Sequence, residues 1–187
     1  YIACNYYGGE EYGECFPVIN DKEGKAYYEG IRDIVFSGKG EHLVFTAGTK
    51  KNSLIVNNEE VGIFDYISSD VAFSPDGKRL AYIAKKGEKW LVVLDGKEGK
   101  SYDLVADLIF SPGSKNFAYV AINENKNFMV INEKEGKVYD SIYGHYFVFS
   151  SNGEKFAYVS RKENKDSIVV NEKDLKTYNS IADPIFS

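Results

Sequence analysis

Five phenylalanines, Phe36, Phe73, Phe110, Phe149 and Phe186, stand 37, 37, 39 and 37 residues apart, each near the end of a short apolar run. Nine residues after the first four comes another aromatic: Phe45, Tyr82, Tyr119 and Tyr158. A second apolar run then ends in Asn57, Asp95, Asn132 or Asn171, and seven residues later stand Phe64, Tyr102, Tyr139 and Tyr178. Four landmarks holding register over four units constitute an internal repeat, and a period of this length restricts the chain to repeat architectures.

Each unit predicts four short strands, written in the second unit as "DVAFS", "RLAYIA", "KWLVVLD" and "KSYDLV". The first two are joined by Ser74-Pro75-Asp76-Gly77, whose Pro and Gly suit a tight turn, and the last two by the polar "DGKEGK". Evenly spaced hairpins with no helical periodicity between them indicate an all-β chain. Four-stranded units of this length point to the blades of a β-propeller; a β-sandwich would not require so faithful a repeat. The blades fall at about 31–66, 67–104, 105–141 and 142–180.

The two ends complement each other. Tyr1-Ile2-Ala3 matches a second strand, "FPVIN" to Asn20 a third, and Tyr27 follows at the required seven residues, whereas "IADPIFS" is a first strand alone. Residues 181–187 and 1–30 therefore read as one shared blade that closes a five-bladed ring and removes exposed sheet edges. The competing reading is a piece of a longer array of six to eight blades. The sequence starts at Tyr1 and not at methionine, which reads as a processed or excised chain.

Composition bounds the function. The chain has 187 residues, 43% of them hydrophobic and 15% aromatic, enough for a substantial core. A net charge of -5, with lysines scattered among turns, gives no footprint for nucleic acid. No apolar run reaches the ~18 residues of a membrane span. The expected state is a monomer or part of a larger chain.

The stretch Asp70 to Tyr82, "DVAFSPDGKRLAY", resembles the WD-repeat-like β-propellers of the TolB type, whose repeats place a similar Ser-Pro-Asp-Gly turn before an apolar strand. The resemblance covers the whole chain, although the turns led by Ser37 and Ser150 lack the proline. It implies the propeller fold. Relatives serve as periplasmic interaction domains or as gating domains on prolyl-oligopeptidase-type peptidases, and they share no catalytic residues to carry over.

Three residues before the strand-end phenylalanines stand Asp33, Asp70, Asp107 and Asp183, with Tyr146 in the remaining blade. On an inner strand these carboxylates would ring the channel mouth. One reading is a cation site, calcium being the cofactor it would suit; the other is hydrogen bonding to backbone amides of their own strands. A glycoside hydrolase could also use channel carboxylates, but equivalent repeat positions offer no contrast between an acid and a base.

Departures from the repeat point to a binding surface. The segment Cys4 to Phe16, "CNYYGGEEYGECF", lengthens the loop between the second and third strands of the shared blade. "IYGHYF", Ile142 to Phe147, stretches one spacing to 39 and reads as part of a connection between blades. Both belong to one propeller face, so Tyr6, Tyr7, Tyr12, Tyr143, His145 and Tyr146 are the candidate ligand-binding residues. Packing of the tyrosines over the channel is the alternative, and His145 is equally readable as an ordinary surface histidine. Cys4 and Cys15 flank the inserted loop. A disulfide there would imply an oxidising compartment, extracytoplasmic or periplasmic; the alternative is two free thiols. The sequence thus predicts a non-catalytic module for a protein or peptide partner, with a carbohydrate-active enzyme or lectin-like sugar binder as the rival.

Overall fold

The computed structural model describes residues 1–5, 13–19, 21–28, 30–48 and 52–181, the side chain of His145 excepted. These residues are all-β. The strands are β1 Ile2–Asn5, β2 Glu14–Ile19, β3 Lys22–Glu23, β4 Ile31–Phe36, β5 Leu43–Ala47, β6 Asn52–Val56, β7 Glu59–Phe64, β8 Tyr66–Phe73, β9 Leu80–Lys86 and β10 Lys89–Leu94. They continue as β11 Lys97–Tyr102, β12 Leu104–Phe110, β13 Phe117–Asn123, β14 Lys126–Ile131, β15 Lys134–Glu135, β16 Ser141–Phe149, β17 Phe156–Lys162, β18 Lys165–Val170 and β19 Lys173–Tyr178. Sheets β4–β7, β8–β11, β12–β15 and β16–β19 are four-stranded antiparallel meanders, and β1–β3 form a three-stranded sheet. Among the described residues no helix is long and apolar enough to cross a membrane.

Packing between sheets explains the aromatic landmarks. The second strand of each unit is buried on both faces, so Ala81 and Ile83 pack toward the following sheet while Tyr82 and Ala84 pack toward the preceding one. Tyr82, Tyr119 and Tyr158 are each 2% exposed or less, and each meets a last-strand ring of the sheet before it: Phe64, Tyr102 and Tyr139. The core is accordingly a series of layers between successive sheets, the fourth layer joining Cys15 and Tyr27 to Ile31 and Phe45.

The polar landmarks are turn devices. Asn57, Asp95, Asn132 and Asn171 all adopt positive φ, between 46° and 51°, at the first position of a two-residue turn. Each also accepts, through its side chain, the amide of the residue opening the second strand: Leu43, Leu80, Phe117 and Phe156, at 3.0 Å. Asn and Asp tolerate the left-handed region and cap locally, which is why only these two types occur there. The turn expected over "DGKEGK" is therefore just Asp95-Gly96; Lys97 to Lys100 already belong to β11. Ser37, Ser74, Ser111 and Ser150 anchor the other turn, each hydroxyl accepting the amide five residues on at 2.9–3.0 Å.

The N-terminal sheet has the expected register. Ile2 pairs with Pro17 and Cys4 with Cys15, and Tyr27 exchanges two backbone hydrogen bonds with Cys15, as a fourth strand would. Of the expected closing strand, residues 181–187, only Ile181 lies within the described residues.

Candidate functional site

The face bearing the turns between second and third strands is built on aspartates. Asp65, Asp103 and Asp140, each at the corner leading into an inner strand, accept the amides of Gly87, Glu124 and Glu163 at 2.7 Å. Gly87, Glu124 and Glu163 all have positive φ; glycine adopts it freely, whereas at Glu124 and Glu163 the carboxylate holds a turn that the backbone alone would not favour. Lys89 pairs with Asp103 at 2.6 Å and keeps its carboxyl below the usual range. This set escaped the sequence reading. Its signal was the recurrence of Asp at spacings of 38 and 37, just after the last-strand aromatic.

On this frame the second unit presents an amphipathic patch. Tyr66, 44% exposed, meets Trp90 edge to face at 5.8 Å, and the Lys85 ammonium lies over the indole at 5.8 Å. Asp65, Gly87 and Glu88 complete an open cleft around these three residues. In the next unit Leu104 occupies the register of Tyr66 and is 42% exposed. Further along the same face, Arg161 lies over the Tyr143 ring at 5.7 Å and donates to the buried Asp166 at 2.7 Å. Aromatic rings with polar tips beside an aliphatic group and cations suit contact with another molecule more than bond-making chemistry.

The Cys4–Cys15 disulfide is present and fastens the hairpin carrying the inserted loop on this same face. Tyr6, Tyr7 and Tyr12 lie outside the described residues. Ile142 to Phe147 require a correction: they are not an inter-blade connection but the interior of the inner strand β16. The pairs Tyr143–Val159 and Val148–Ala157 leave four residues facing one, where Ala106–Val120 and Ile109–Ala118 leave two facing one. The two residues that lengthen the spacing are thus absorbed by a β-bulge, which costs less than a new loop because both flanking pairings survive. His145 lies in this bulge, and Tyr143 and Tyr146 flank it with ring centroids 6.1 Å apart.

The recurring inner-strand aspartates also lie at bulges. Asp33 and Asp107 have φ of 54° and 58°, and Asp33 accepts the Thr46 hydroxyl at 2.9 Å. Asp70 accepts the Ser68 hydroxyl at 3.1 Å, while its own amide donates to that oxygen. Asp183 lies outside the described residues. Among the described residues no three His, Cys, Asp or Glu side chains cluster as a metal site.

Asp107 packs instead against the next inner strand. A Cβ on Gly144 would meet its Cβ at 2.7 Å and collide with its Oδ2. Gly144→Ala is therefore expected to cost about 1–3 kcal/mol, and Asp107→Gly in the same chain to recover most of it, since it removes both the clash and a left-handed non-glycine residue. Thermal unfolding of the four members of the cycle measures this coupling; additive losses would mean the two positions do not touch.

No protein-family model matches the chain, and no curated protein matches it in sequence. Solved structures do match in shape. A eukaryotic initiation factor aligns at TM-score 0.56 and 15% identity, covering 96% of this chain and 51% of its own. TolB from Acinetobacter baumannii aligns at 0.50 and 14%, covering 85% and 45%. Pyrococcus horikoshii acylaminoacyl peptidase aligns at 0.50 and 11%, covering 91% and 35%. The chain spans about half the length, or less, of these structures. At such identities the likeness concerns the fold alone, and that fold is TolB-like propeller architecture.

Proposed function

We propose that the chain is a non-catalytic binding module, a β-propeller that recognises a protein or peptide segment on the face carrying Tyr66, Trp90 and Leu104. The observation that carries this reading is the cluster of exposed Tyr66 with half-buried Trp90 and Lys85, set on the face that also bears the disulfide-fastened hairpin. Paired strands present the rings, so little backbone entropy remains to be lost on binding. Tyr6, Tyr7 and Tyr12 in the inserted loop, and Tyr143 with His145 and Tyr146, would extend the contact.

Five blades are the arrangement this reading favours, with residues 181–187 supplying the inner strand that β1–β3 lack. A closed ring suits a monomer or one domain of a longer chain. The disulfide is consistent with an oxidising compartment. No cofactor is required. The inner-strand aspartates serve local structure in this account, the hydroxyl partners of Asp33 and Asp70, Thr46 and Ser68, and the left-handed conformations of Asp33 and Asp107 being what supports it.

Selection from a displayed peptide library against the folded chain tests the reading. Enriched peptides that compete with one another and release on Tyr66→Ala with Leu104→Ala would support it. Enrichment only on a glycan array would shift it to a sugar binder. Glycoside turnover lost on Asp70→Asn would overturn it in favour of an enzyme.

A further inference from the structure

A second site lies between the third and fourth complete sheets. The strand-paired positions Ala84–Leu91 and Ala121–Phe128 are apolar in the second and third sheets, and Phe128 packs its ring 5.6 Å from that of Tyr102. At the same register the fourth sheet carries Ser160 and Ser167. No other complete sheet has serine at the first of these positions, where Ala47, Ala84 and Ala121 stand. The ring that fills the space beside Tyr102 therefore has no counterpart beside Tyr139. What remains is a cleft of about 460 Å³, with Tyr139, Ser160, Ser167 and Thr177 among its walls.

Its chemistry is directional. The Ser160 hydroxyl is buried, the residue being 1% exposed, and has no hydrogen-bond partner. A buried donor left unmade is destabilising, so its retention where alanine packs equally well in three sheets calls for a ligand or water to satisfy it. The rim carries Lys137, Lys162 and Lys165 against the single carboxylate of Asp174. Lys137 and Asp174 neutralise each other at 2.6 Å, Lys165 donates to Asn179, and Lys162 has no ionic partner among the described residues. Hydroxyl donors at the wall and uncompensated ammonium groups at the rim match a compact oxyanion. We infer that this cleft binds the phosphate group of a small molecule, with Ser160 and Thr177 donating to it and Lys162 and Lys165 neutralising it. The rim opens toward the same face as Tyr66 and Trp90, but the cleft shares no residue with that cluster and does not depend on it.

Inorganic phosphate titrated into isotope-labelled protein at constant ionic strength is the test, followed by amide chemical shifts. Saturable shifts centred on Ser160, Ser167 and Thr177, with millimolar affinity, are expected. Ser167→Phe, which restores the residue of the preceding sheet, should abolish them while leaving the spectrum otherwise folded. Lys162→Ala with Lys165→Ala, both at exposed positions, should weaken binding at least tenfold, so the test survives if the phenylalanine variant fails to fold. Shifts that are absent, that centre on the lysines opening β11 and β15, Lys97 and Lys134, or that persist unchanged in either variant overturn the assignment.

Discussion

Between pH 9 and 12 the protein is expected to lose its fold in one steep step. Tyr82, Tyr102, Tyr139 and Tyr158 are each 4% exposed or less. Burial, the largest cause at all four, penalises the phenolate; the charge of Glu98 adds to it at Tyr82, and that of Glu172 at Tyr158. Tyr82 is pushed up to about 12, and the other three are raised as well. The folded state thus keeps protons that the unfolded chain releases above pH ~10. Because these folded values are raised, their contribution is complete below that pH and is withdrawn as pH climbs toward the folded values. Each tyrosine removes about 1.4 kcal/mol per pH unit in this window, so four together reach a typical total stability of ~5–15 kcal/mol within two units. Tyrosinate absorbance and circular dichroism should change together. Tyr158→Phe is the internal control: its sealed hydroxyl meets at most the neighbouring Tyr139 hydroxyl, so the variant should lose little stability at pH 7 and show a shallower alkaline slope. Tyrosinate appearing near pH 10 with the fold intact would show that the rings are not sealed between sheets.

Reduction of the Cys4–Cys15 bond is expected to have the next largest effect. The bond closes a short loop with a sequence separation of 11, and in the chain-entropy account its loss costs about 2–3 kcal/mol. For a chain of this size that lowers the melting temperature by roughly 4–12 °C. Cys4→Ser with Cys15→Ser should reproduce the effect and become insensitive to reductant. The buried Cys15 also belongs to the layer beneath the first complete sheet, so Cys15→Ser, which puts a hydroxyl there, should cost more than Cys4→Ser, which keeps the sulfur in place. A melt unchanged by reductant would remove the bond from the account of stability.

How far the sequence carried the fold depends on the range of each requirement. Asn132 and Ser111 meet local backbone needs within one hairpin, so their recurrence could be read directly as strand and turn positions. Tyr119 and Tyr102 answer to a neighbouring sheet, yet they recur because every layer repeats the same contact. The bulges were hidden. A residue added to an inner strand and one added to a loop lengthen the spacing equally, and only pairing distinguishes them, which is why Ile142 to Phe147 read as a connection.

The candidate site was legible at its edge. The inserted loop announced itself by length and by two cysteines, whereas Tyr66 and Trp90 sit at ordinary strand positions and differ from their counterparts Leu104 and Asn127 only in chemistry. Glu135 and Asp174 were also missed. They accept from Tyr102 and Tyr139 across the sheet boundary at 3.0 and 2.7 Å, with Lys100 and Lys137 beside them. Their signal is a Lys-x-Tyr triplet whose acidic partner comes 33 to 37 residues later, a distance that has meaning only once the sheets are stacked.

The central claim, recognition on the Tyr66–Leu104 face, is tested most directly by measuring affinity and melting temperature together. A selected peptide ligand is titrated into the wild type, into Tyr66→Ala with Leu104→Ala, and into Lys97→Ala with Lys134→Ala at strand starts on the opposite face. Truncating exposed side chains should change stability by under about 1 kcal/mol. Truncating anchors of a binding site should cost over about 1.4 kcal/mol of affinity, a tenfold loss. The account predicts at least that loss in the first variant at a nearly unchanged melt, and none in the second. Full affinity in the first variant, or an equal loss in both, would contradict it.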